Sequence, residues 1–98
     1  MALWKNCIME TFYYDGPSDS APCQVRIDGD KIVVSYKDEN YVRMVDYKGD
    51  DRGVGHYVLD CPEVQGRATL HRLTKDSASI EGYWEEGQGR GMWRIKLA

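Results

Sequence analysis

The stretch "IEGYWEEGQGRGMWRIKLA" (Ile80–Ala98) decides the fold, because it reads as two strands folded back on each other. Ile80, Gly82 and Trp84 fall on one face of the first strand, and Trp93, Ile95 and Leu97 on one face of the second. Glu81 and Glu85 oppose the first set, Arg94 and Lys96 the second. A period of two with apolar and charged residues alternating is the mark of a half-buried strand pair. The glycine-rich "GQGRG" between them reads as a bulged turn. This segment holds two of the three tryptophans and four of the ten glycines, so the question it poses is whether it grips a ligand or closes a barrel.

The same pattern extends toward the N-terminus. "CQVRID" and "KIVVSYK" flank Asp28-Gly29-Asp30, a strong hairpin signal because glycine accepts the positive φ of a tight turn. "NYVRMVDYK", "HYVLDC" and "RATLHRL" follow, separated by "GDDRGVG" and by the turn Pro62–Gly66. The first segment, Leu3–Tyr14, reads as a strand ended by "DGPSDSAP"; Trp4, Ile8 and Phe12 at i, i+4, i+8 leave a helix as the alternative. No connection is long enough for a crossover helix, so consecutive strands pair antiparallel. The expected fold is all-β: an antiparallel meander of about eight short strands, closed into a small barrel or strongly curved sheet that removes its edges. With 98 residues, 1–98 form a single domain.

The hairpin "GYWEEGQGRGMWRIKL" resembles the Gly-x-Trp strand starts and Trp-flanked hairpins of calycin-type barrels, the lipocalins, fatty-acid-binding proteins and avidins, through Gly82, Trp84, Gly87 and Ile95. The resemblance implies an up-and-down barrel holding one small, mainly apolar ligand at its mouth. It covers about a fifth of the chain, and in lipocalins and avidins the Gly-x-Trp lies near the N-terminus rather than the C-terminus. No family ligand residue maps onto this sequence.

Seven tyrosines and three tryptophans against one phenylalanine suit half-buried strand surfaces and cavity walls. A net charge of −3 with scattered Lys and Arg argues against nucleic acid and against an anionic membrane surface. No apolar run is long enough for a spanning helix. The N-terminal stretch carries Lys5 and Glu10 and no small-residue cleavage site, so the expected location is cytoplasmic. Three widely spaced cysteines, Cys7, Cys23 and Cys61, read as reduced.

Chemistry is sparse. His56 and His71 lack metal-ligand spacing, with Cys61 or Asp60 the only groups placed to approach His56, and no metal or cofactor is expected. Asp46, Asp50 and Asp51 lack the spacing of a calcium loop. No nucleophile elbow is present, and no catalytic residue is assigned. An enzyme working through Glu10 or His71 is the least favoured reading. The favoured one is a barrel binding a small, mainly apolar ligand, with Trp4, Phe12, Tyr36, Tyr57, Trp84 and Trp93 as wall. Glu10, if its strand turns Trp4, Ile8 and Phe12 inward, would face the interior and pair with Arg43 as polar anchor or structural ion pair. The alternative is a filled barrel acting as an interaction module, a homodimer joined through Tyr13, Tyr14, Tyr83 and Met92. A cavity of roughly 300 Å³ or more with convergent polar groups separates the two.

Overall fold

The computed structural model describes residues 1–38 and 43–98, with backbone alone at Asp38 and Arg43. Part of the expected strand "NYVRMVDYK", Asn40 to Val42, and the end of the turn before it lie outside the described residues. The described residues form eight strands: β1 Ala2–Tyr13, β2 Asp19–Asp28, β3 Lys31–Asp38, β4 Arg43–Asp51, β5 His56–Cys61, β6 Gly66–His71, β7 Ser79–Glu86 and β8 Gly89–Lys96. Each pairs antiparallel with the next, and β1 pairs antiparallel with β8, closing the barrel. The all-β up-and-down barrel expected from the alternation is therefore present. Among the described residues no helix is long and apolar enough to cross a membrane.

The Asp28-Gly29 turn forms as expected: Asp28 pairs with Lys31, and Gly29 has φ +63°. The C-terminal hairpin differs from its expectation. "GQGRG" is no bulged loop; Glu86 pairs with Gly89, so only Gly87 and Gln88 turn and β8 runs through Gly91. The reason lies in packing. Gly82 pairs with Trp93 and Trp84 pairs with Gly91, so each inward indole faces an inward glycine on the neighbouring strand. A Cβ on Gly91 would stand 1.7 Å from the Phe12 carbonyl oxygen, and one on Gly82 would stand 1.6 Å from that of Thr69. Absence of a side chain lets both strands bend hard onto their neighbours while the tryptophans fill the space, a large–small alternation. Gly87 is a turn residue with φ +57°, whereas Gly91, which looked like one, is a closure residue.

β1 is a strand throughout, which removes the helical alternative. Its inward face is not the expected one. Trp4 pairs with Val25 while Cys7 pairs with Cys23, three residues along β1 against two along β2. That extra residue is a bulge, and it shifts the alternation by one, turning the opposite set of side chains inward. Trp4 points to the core before the bulge; beyond it Cys7 and Met9 are buried, and Ile8 is 44% exposed.

The core runs through the barrel. Val25, Val34, Tyr47, Leu70, Ile80 and Ile95 have no exposed surface, and Trp84 and Trp93 are buried beside them. One end of the barrel is filled by Ile32, Tyr57 and Leu70, with Trp4 half-buried against them and the Arg72 guanidinium 5.1 Å from the Trp4 ring. The other end, where β7 and β8 turn, is open.

Candidate functional site

The open end is a cleft of about 360 Å³. Trp84 and Trp93 lie roughly parallel with centroids 6.2 Å apart, and Tyr36 and Tyr47 likewise at 6.3 Å. The two pairs meet nearly at right angles: Trp93 stands edge-on to Tyr47 at 5.0 Å and to Tyr36 at 6.1 Å. Tyr13 adds another edge-on contact, 5.6 Å from Trp84. Such edge-to-face contacts are favoured by the ring quadrupoles. Met9, Thr11 and Ala21 line the wall, and Asp19, Ser20 and Lys37 the rim.

The carboxylate in this cleft is Glu86. It is the last residue of β7 and continues the inward parity of Ile80, Gly82 and Trp84. The Tyr47 hydroxyl donates to Glu86 Oε2 at 2.6 Å, and the Tyr36 hydroxyl donates to the same oxygen at 3.4 Å. Tyr47 reaches it because position 66 is glycine: a Cβ there would fall 2.0 Å from the Tyr47 hydroxyl oxygen. Burial, then the hydrogen bond to Glu86 and its charge, push the Tyr47 phenol far above its ordinary range. Tyr47 therefore keeps its proton and acts as a permanent donor. Among the described residues, no Lys, Arg or His forms an ion pair with Glu86.

Of the eight residues expected at a ligand site, the structure brings Tyr36, Trp84 and Trp93 together. Tyr57 is buried in the filled end, where Trp4 also sits. The expected inward Glu10–Arg43 pair is corrected on its first half: beyond the β1 bulge Glu10 faces outward, 3.9 Å from Arg94. The Arg43 side chain lies outside the described residues. Phe12 shares the outer face with Glu10, and the Arg94 guanidinium lies 5.6 Å from its ring. Tyr13, expected on an outer association surface, instead belongs to the cleft. Tyr47 and Glu86 were missed. The alternation that places Trp84 inward, carried two residues further, would have found Glu86.

The remaining polar clusters serve the scaffold. Glu81 accepts from Arg94 Nε at 3.2 Å across the hairpin, as expected of a charged outer face. Asp51 accepts the backbone N–H groups of Gly53 at 2.8 Å and Gly55 at 3.2 Å, so this acidic loop uses its carboxylate to hold its own turn. The Asp50 carboxyl is lowered from its ordinary value of 3.8, first by the Arg52 hydrogen bond and then by the Arg52 and Lys31 charges. His56 and His71 are directly paired at the β5–β6 seam, Nδ1 to Nε2 2.5 Å, with neither Asp60 nor Cys61 approaching. Among the described residues no three His, Cys, Asp or Glu side chains converge as metal ligands would. The cysteines are free and buried; burial, with Cys7 beside it, pushes the Cys23 thiol up to about 12, away from the reactive thiolate.

No protein-family model matches the chain, and neither does a curated protein or a solved structure.

Proposed function

We propose that this barrel is a carrier or sensor that holds one small, largely apolar molecule non-covalently in its open end. The observation that carries this reading is the asymmetry of the interior: one end is filled by side chains, while the other is a 360 Å³ cleft walled by four aromatic rings and provided with one inward carboxylate. Ligand sites are concave, mostly apolar, and carry a few placed polar groups. The cleft is concave, with ring walls and a placed carboxylate, at the scale of a fragment-sized ligand, and its accessible lining is more polar than apolar. Catalysis finds little support, since the phenol beside the carboxylate is held protonated. A cytoplasmic location is consistent with Cys7 and Cys23 lying directly opposite each other as free thiols, a pairing that an oxidising compartment would tend to close.

A second reading has its own observation. On the outer face Tyr83 pairs with Met92, which pairs in turn with Phe12, and Tyr83 and Met92 are 39% and 48% exposed. Aromatics and methionine are enriched at association surfaces, and a homodimer built on this stripe would need no ligand. A native mass spectrum of protein purified gently from its own host, beside a denatured control, separates the readings. Extra mass that disappears on denaturation supports the ligand; a dimer without extra mass overturns it in favour of association.

A further inference from the structure

The cleft is selective in charge as well as in size. Glu86 receives hydrogen bonds from two neutral phenols, yet no cation among the described residues balances it. Phenol donors solvate a carboxylate without cancelling its charge. An apolar body filling the cleft would strip water from that carboxylate and leave its charge uncompensated, which is costly. An anionic ligand would add repulsion from Glu86, and from Asp19 at the rim. The aromatic walls point the same way, because ring faces are electronegative and attract cations, especially where water is excluded. Lys37 lines the rim as well, with an exposed side chain, so among the described lining residues one cation stands against two carboxylates, Asp19 and Glu86.

We infer that the occupant of this cleft is a small organic cation, an amine or methylated ammonium on an apolar body, seated with its charge against Glu86 and its body between Trp84, Trp93 and Tyr36. This rests on the ligand-binding reading above and adds the chemical class. Tyr47 has a defined part. By holding one carboxylate oxygen and staying protonated, it fixes Glu86 in place and leaves the other oxygen to meet the ligand. The alternation of rings and carboxylate is a built arrangement: it depends on Gly66 beneath the Tyr47 hydroxyl and on Gly91 beside the Trp84 indole.

Three probes with a common phenyl body test this: benzyltrimethylammonium, its uncharged carbon isostere neopentylbenzene, and phenylacetate. Binding is followed by the fluorescence of Trp84 and Trp93 and checked by calorimetry. The cation should bind at least about tenfold more tightly than either of the others, with the margin shrinking as salt is raised. Glu86→Gln, whose amide oxygen can still accept from Tyr47, should abolish the margin by weakening the cation while neopentylbenzene binds as tightly or more tightly, because the neutral amide costs less to desolvate. Tyr36→Leu keeps the carboxylate, removes one ring, and should reduce the margin in part. Equal or tighter binding of neopentylbenzene or phenylacetate would overturn the charge inference and leave a ligand-binding cleft standing. Failure of all three probes to bind, with no adduct in the native spectrum, would overturn the binding reading and this inference with it.

Discussion

The two ends of the barrel are built from the same eight strands but to different rules. At the filled end, Leu70 and Ile32 are sealed, Tyr57 is buried among them, and Trp4 is covered by the Arg72 guanidinium. At the open end the side chains are as large, yet they carry hydroxyls and a carboxylate, and they stand edge-on to one another around a cleft. Close packing of aliphatic side chains supplies stability and leaves nothing to recognise. Polar-tipped aromatics supply stability with their ring bodies and recognition with their edges and faces. The contrast is what the ligand-binding proposal rests on.

Substitutions can break or sharpen that contrast. The largest effect should come from Trp84→Ala, which removes the buried floor of the cleft and should cost about 3–5 kcal/mol in denaturant unfolding. A melting temperature equal to that of the parent would place Trp84 outside the core and undo the inward assignment of β7. Leu70→Ala, at the filled end, should cost about 2–5 kcal/mol while leaving the fluorescence response to cleft ligands intact. Should it alter ligand response as strongly as stability, the ends are not independent. Tyr47→Phe keeps the ring and removes the donor to Glu86, so a loss of about 1.5–3 kcal/mol is expected, the range for a hydrogen bond to a charged group. No measurable loss would mean that the Tyr47–Glu86 bond does not organise the open end.

The same residue makes an alkaline prediction. The Tyr47 pKa is raised above its ordinary value of 10.0, so the unfolded chain releases that proton near pH 10 while the folded chain retains it. Its contribution is full below pH 10 and declines as pH rises further. The parent should therefore lose stability above pH 10 more steeply than Tyr47→Phe, measured by unfolding at a series of pH values. Parallel curves for the two proteins would contradict the assignment. The smallest effect belongs to Asp50, an exposed carboxylate whose pKa is lowered. Asp50→Asn should leave neutral stability nearly unchanged and remove only a slight stabilisation, one the parent keeps above about pH 4 and loses as acid protonates the carboxylate.

The strand alternation was legible because period two is written directly in residues such as Val25, Ile27, Ile32 and Val34. It failed where local geometry breaks the period. The β1 bulge between Trp4 and Cys7 has no residue signature, yet it moved Glu10 and Phe12 from the expected interior to the outer face. Glycine misled in a different way. Gly89 and Gly91 carry the composition of a loop, and only the neighbouring carbonyl of Phe12 reveals that position 91 is glycine for lack of space. The cleft was half visible. Tyr36, Trp84 and Trp93 follow from alternation, but Glu86 becomes a site residue only through Tyr47, and that contact joins β4 to β7 with no sequence proximity to announce it.

The seam between β1 and β8 also carries a kinetic consequence. The other seams each join strands that follow one another in the chain, so every hairpin can assemble from its own short segment. The last seam pairs Ile8 with Lys96 and requires all the others to have brought those segments within reach. Loop-closure entropy grows only logarithmically with length, at about 0.6 kcal/mol per doubling, so a direct encounter of the two strands is affordable but unrewarded until the curved sheet between them exists. Folding should thus proceed as a zipper of local hairpins with circularisation late, and the slowest step should be sensitive to β1 and β8 together.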